Sequence, residues 1–125
     1  EVSVSKRGKI KVHKITCVAD CGQVFNSHIA KQQLEGAILY GLTAALKGEI
    51  NVKNGQIVQS NFDDYPMLKL KDTPEINVHL MESHEAPGGL GEAGTPLIGP
   101  AVANAVFTAT GKRVRRLPIR PKDLV

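Results

Sequence analysis

The 125 residues predict an α+β domain with antiparallel strands and hairpins and two main helices, at about 26–47 and 100–110, and three observations carry that prediction. Short β-rich runs separated by turn residues open the chain and recur in its middle. A long apolar stripe at helical spacing lies between them. A second such stripe follows a loop too rich in glycine and proline to be helix or ladder strand.

Val2–Val4 and Ile10–Val18 bracket the polar, Gly-containing loop Lys6-Arg7-Gly8-Lys9, which suits a hairpin. Asp20-Cys21-Gly22 ends the second run, and Asn26-Ser27 supplies side-chain acceptors for a helix start near His28. Leu34, Ile38, Leu42, Ala45 and Leu46 then share one helical face, with Gln32, Gln33 and Glu35 off it. Gly36 and Gly41 interrupt this helix, each at a propensity cost of up to about 1 kcal/mol, so a close neighbour is expected there. Glu49–Val52 and Gln56–Gln59 flank Lys53-Asn54-Gly55, a hairpin signal because Asn and Gly tolerate positive φ. Asn61–Lys71 reads as irregular, and Glu75–Met81 alternates as a half-buried strand does. Pro100 suits the first turn of the second helix, whose Val102, Ala105, Val106 and Ala109 run to a stop at Gly111.

Composition narrows the class of protein without naming a function. A chain that is 42% hydrophobic and 22% charged is an ordinary globular mix, which excludes disordered, collagenous and coiled-coil proteins. A net charge of +4 is too small to specify an acidic partner. No run approaches the roughly 18 apolar residues of a membrane span. Cys17 and Cys21, with His13 and His28, lack the spacing of a zinc finger or redox motif and read as free thiols, so no residue is assigned to a metal. The basic run Lys112–Arg116 with Arg120 and Lys122 has no interleaved aromatic residues, reads as a solvated helix end, and gives no case for nucleic acid.

Ala86–Pro100, APGGLGEAGTPLIGP, is the anomaly of the sequence. Gly89-Leu90-Gly91-Glu92-Ala93-Gly94 matches G-x-G-x-x-G formally, which keeps a nucleotide-binding module as an alternative. Pro96 and Pro100 argue that the helix opens too late to hold a pyrophosphate, and the Glu92 carboxylate would repel one. Glu92 between Leu90 and Leu97 instead suggests a general base, since a carboxyl partly buried among apolar groups is tuned for proton abstraction near neutrality. From the residues alone, a solvated loop charge is the simpler reading and the favoured one.

GGLGEAGTPLIGPAVANAVFTATGKRVRRLPI (Gly88–Ile119) resembles the end of the molybdenum-binding subunit of the xanthine dehydrogenase and aldehyde oxidase family. Within it, the run is most similar to bacterial isoquinoline 1-oxidoreductase β subunits and related aldehyde dehydrogenases. VADCGQVFN (Val18–Asn26), QLEGAILYGLTAAL (Gln33–Leu46) and QSNFDDYPMLKL (Gln59–Leu70) extend the resemblance in register. The resemblance implies that Glu92 sits beside molybdenum as the general base for an oxygen nucleophile derived from water. It further implies that Gln33 contacts the pterin and that Gly89, Leu90 and Gly91 lie against the cofactor, molybdopterin cytosine dinucleotide in bacterial relatives. Residues 1–125 are then expected to be a single domain, the C-terminal fragment of a much longer subunit, inactive by itself. The partners implied are the upstream part of that subunit, an iron–sulfur subunit, a cytochrome acceptor and a small-molecule substrate, either an aldehyde or an N-heteroaromatic. The compartment stays open between periplasm, membrane surface and cytoplasm. The alternative from another class is a non-catalytic interaction or assembly module of the same fold.

Overall fold

The computed structural model describes residues 1–125. The strands are β1 (Val2–Val4), β2 (Ile10–Val12), β3 (Lys14–Ala19), β4 (Val52–Lys53), β5 (Gln56–Ile57) and β6 (Glu75–Leu80). Two helices, α1 (Ser27–Leu46) and α2 (Thr95–Thr110), follow β3 and β6 respectively. No helix is long and apolar enough to cross a membrane.

Both expected hairpins form, β1 with β2 and β4 with β5, each antiparallel. Asn54 and Gly55 turn the second with φ of 51° and 76°, the conformation an Asn-Gly turn supplies at little steric cost. The first breaks sooner than expected. Ile10–Val18 is not one strand: it divides at His13, because Ile10–Val12 pairs with β1 while Lys14–Ala19 pairs with β6. Antiparallel pairing fails for that last pair, which is parallel, Lys14 opposite Glu75 through Ala19 opposite Leu80. The reason is connectivity. A strand that leaves into a 20-residue helix returns to its neighbour as a crossover, and a crossover makes parallel strands.

α1 begins where Asn26 caps it, the Asn26 Oδ1 accepting from the Ile29 amide at 3.0 Å. Ala30, Leu34, Ala37, Ile38, Gly41, Leu42 and Ala45 form its buried face. The core joins Ile38 and Leu42 to Ile98, Val102 and Val106 of α2 and to Val12, Ile119 and Leu124. The close neighbour expected at the glycines is found at Gly41, where a Cβ would lie 2.5 Å from the Thr95 carbonyl oxygen. It is not found at Gly36, which faces open space.

α2 opens at Thr95, earlier than the expected start at 100. Pro96 lies in the first turn, where an amide has no helical partner to lose, and Pro100 lies within the helix. Gly111 ends α2 as expected, with φ of 72°. The tail beyond it is no solvated helix end. The Ile119 amide donates to the Ala45 carbonyl at 2.8 Å, and Ile119 and Leu124 are core residues. Arg116 and Arg120 both pair with Glu49, and Arg113 lies over the Phe107 ring 3.6 Å from its centroid.

Leu42 is fully buried at the meeting of α1 and the core, so Leu42→Ala should cost about 2–5 kcal/mol in urea unfolding. A loss below about 1 kcal/mol would contradict this packing. Where β3 and β6 start, hydrogen bonds from Asn77 and Lys14, and the charge of Lys14, hold the Glu75 carboxyl below its ordinary value of 4.5. A carboxyl lowered by folding stabilises above its unfolded value and loses that contribution as pH falls through the folded one. The midpoint of unfolding should therefore drop as pH falls below about 4.5, and Glu75→Gln should remove part of that drop.

Candidate functional site

The carboxyl ends of β3 and β6 lie side by side, each leading through a loop into a helix. In parallel sheets this end is the usual place for a ligand, because loops and helix starts converge there. The two loops are laced together. The Met81 amide donates to Ala19 at 2.9 Å, Gln23 to Glu85 at 3.0 Å, and Gly88 to Cys21 at 2.8 Å. Gly22, at φ of 71° and with its amide on Asp20 Oδ1 at 3.1 Å, lets the Ala86 carbonyl approach where no Cβ would fit.

A cavity of about 250 Å³ opens between these loops and the first turns of α1. Gln33 and Leu90, which lie 57 positions apart, meet in its lining with Cys21, Phe25, Ile29 and Gly88. No hydrogen bond within the chain occupies the Gln33 amide, so its acceptor and two donors are free for a heterocycle edge. Phe25 and Ile29, 83% and 55% exposed, supply an apolar wall that reading the sequence did not single out. The available signal was that Ile29 is apolar yet lies off the buried stripe of α1, on the face that carries Gln33 and Gly36.

Gly89, Gly91 and Glu92 do not line this cavity. Gly89 and Gly91 have open space where a Cβ would stand, so a ligand can reach the bare backbone there. Glu92 lies in the turn that leads into α2, and its carbonyl accepts from the Thr95 amide at 2.9 Å. Its side chain is exposed, and so is Leu97, which corrects the expectation of a carboxyl partly buried between Leu90 and Leu97. The cause is the tight turn over residues 91–94, from which only Gly94 is turned inward, against Leu34, Ala37 and Ile38. The same turn corrects the reading of Pro96 and Pro100, since the helix does open at the last glycine of the G-x-G-x-x-G run. The charge of Glu92 is then what sets this loop apart from a pyrophosphate site.

Two larger hollows lie elsewhere. One of about 470 Å³ runs beside Tyr40, Tyr65 and Leu70, beyond Gly36 on the same helix. The other, about 490 Å³, is ringed by Lys9, Lys11, Lys47 and Lys71 at the far end of α1 and holds none of the candidate residues. Nowhere do three or more His, Cys, Asp or Glu side chains gather, and Cys17 and Cys21 are free thiols.

Residues 1–74 match the molybdopterin cofactor-binding domain family. The chain belongs to that family. It is 42% identical over 118 residues to a membrane-bound aldehyde dehydrogenase (pyrroloquinoline-quinone) of Gluconacetobacter polyoxogenes, a match covering 94% of this chain and 15% of that protein. It is also 42% identical to the isoquinoline 1-oxidoreductase β subunit of Brevundimonas diminuta, over 90% of this chain and 14% of the relative. The chain thus spans about a seventh of the length of these relatives. Among solved structures, quinoline 2-oxidoreductase from Pseudomonas putida 86 shares the fold with a TM-score of 0.88, at 24% identity, over 98% of this chain and 17% of that one. Aldehyde oxidoreductase from Desulfovibrio gigas matches with a TM-score of 0.81 at 26% identity, over 98% of this chain and 14% of that one.

Proposed function

We propose that this chain is the C-terminal part of the molybdopterin-binding subunit of a molybdenum hydroxylase, an oxidoreductase that hydroxylates an aldehyde or N-heteroaromatic substrate with oxygen drawn from water. The observation that carries the proposal is the meeting of Gln33 with the Gly88–Leu90 segment at one cavity, in a chain that belongs to this cofactor-binding family. The family match, and not the quinone in one relative's name, decides the choice of cofactor.

The residues fit a large organic cofactor better than a bare ion. No cluster of protein ligands stands ready for a metal, so a metal bound here arrives with its own donor atoms. Gln33 offers its free amide to a pterin edge, and the open backbone at Gly89, Leu90 and Gly91 allows close approach. Molybdopterin, taken here in its cytosine dinucleotide form, supplies when bound a metal centre able to accept an electron pair from the substrate carbon. Glu92 acts as general base, its carboxylate taking the proton from the oxygen nucleophile. The turn over residues 91–94 fixes where that carboxylate starts from, and the pairing of Gly88 with Cys21 fixes the other end of the loop. Alone, the chain has no turnover, because Glu92 then has no activated oxygen to serve.

The surface supports a place within a larger assembly. The chain exposes 8748 Å², against about 6,500 Å² for a compact monomer of this mass. Its parallel pair has only two strands, and Val18 on it is 62% exposed, although parallel sheets are ordinarily covered on both faces. The proposed cover is the upstream part of the same subunit, with an iron–sulfur subunit carrying electrons away to an acceptor such as a cytochrome.

In the complete enzyme Glu92→Gln should lower kcat by about 10²–10⁴-fold or more while molybdenum content stays at the wild-type level. Retained turnover would remove Glu92 from the reaction. Gln33→Ala should instead lower the cofactor content of the purified enzyme, and full occupancy in that variant would contradict its role as a pterin contact.

A further inference from the structure

Thr95 is the first residue of α2, and its hydroxyl does not cap the helix it begins. It reaches across instead. Thr95 Oγ1 donates to the carbonyl oxygen of Ala37, in the middle of α1, at 3.1 Å and from a partly buried position. The Thr95 amide donates to the carbonyl of Glu92 at 2.9 Å. Its own carbonyl lies over Gly41, and the preceding Gly94 sits against Ile38, Ala37 and the Leu34 carbonyl, with 3.1–3.2 Å to where its Cβ would be. Two positions without side chains thus let the start of α2 settle onto about two turns of α1, and one hydroxyl ties it there.

The residues proposed to act on the cofactor sit at either side of this contact. Gln33 directly precedes Leu34 on α1, and Glu92 is three residues before Thr95. Glu92 itself makes no side-chain hydrogen bond or ion pair, so the backbone of its turn is what holds it in place. We infer that Thr95 is a positioning residue, whose hydroxyl sets the Glu92 turn at a fixed place relative to Gln33 by bonding to Ala37. The role rests on the proposed function of Glu92 and Gln33, while the contact itself does not. The Ala37 carbonyl also lies one helical turn before the Gly41 amide, its ordinary partner in α1. Loss of the hydroxyl therefore leaves no acceptor stranded, and the effect should stay local.

Amide hydrogen exchange in the complete subunit prepared without cofactor, read by mass spectrometry, tests the contact without turnover. Thr95→Val, which exchanges the hydroxyl for a methyl group of similar size, should raise exchange at the paired amides of this loop, Gly88 and Thr95, by about tenfold, the factor expected for losing one hydrogen bond. Protection at Val102–Val106 should stay as in the wild type, and Thr95→Ser, which keeps the hydroxyl, should restore the loop. Gly41→Ala should loosen the same segment from the α1 side, because its Cβ would press on the Thr95 carbonyl. Unchanged loop exchange in Thr95→Val overturns the inference, as does a Thr95→Ser chain as loose as Thr95→Val. A Thr95→Val chain that loosens throughout, or fails to fold, makes the contact a general stabiliser and overturns the positioning role. Turnover retained by Glu92→Gln would sink the catalytic reading and leave these exchange results standing.

Discussion

The close approach of the first turn of α2 to the middle of α1 is the contact on which the rest of the site depends. It exists because Gly41 and Gly94 carry no side chain where the two backbones meet. Each helix follows one strand of a parallel pair, so the contact closes a ring: β3 to α1, α1 to α2, α2 back through its loop to β6, and β6 to β3. A loop hung between β6 and α2 is fixed at both ends by that ring, although its own glycines make few contacts. Rigid supports with bare backbone between them suit a large ligand that has to reach the main chain.

The parallel pair that carries the loops is too small to be self-sufficient. Two strands with open edges and an exposed face offer unpaired amides and carbonyls to whatever lies beside them. Together with exposed Phe25, Ile29, Tyr40 and Leu97, this gives the chain a surface unlike that of a finished monomer. The candidate cavity is lined by only two segments, residues 21–33 and 88–90. A cofactor bound there would be held partly by this chain and partly by what covers it.

Local signals were legible in the sequence wherever one residue decides the geometry. Asn54-Gly55 turned its hairpin, Asn26 capped α1, and Gly111 stopped α2, each by a property of its own backbone or side chain. Long-range pairing was less visible. That Lys14–Ala19 lies parallel to Glu75–Leu80 follows from the crossover through α1, which strand-by-strand alternation does not reveal. The early start of α2 was hidden by reading Pro96 and Pro100 as delays, when a proline in the first turn costs a helix little. Ile119 and Leu124 were masked by the charges around them, which suggested a solvated tail.

The candidate site was legible mostly through its resemblance to a family and only partly through its chemistry. Gln33 lies on an exposed face and Glu92 in an exposed turn, so neither shows the burial by which an active group is usually recognised. What the fold adds is proximity: Gln33 and Leu90 share a cavity, and Glu92 is one short turn from the contact between the helices. Crystallography of the cofactor-loaded protein, with anomalous diffraction at the molybdenum absorption edge, measures the relation that matters most. A molybdenum peak beside the Glu92 carboxylate, with the organic part of the cofactor against Gln33, is the expected result. Molybdenum bound at a place that meets neither residue would contradict it.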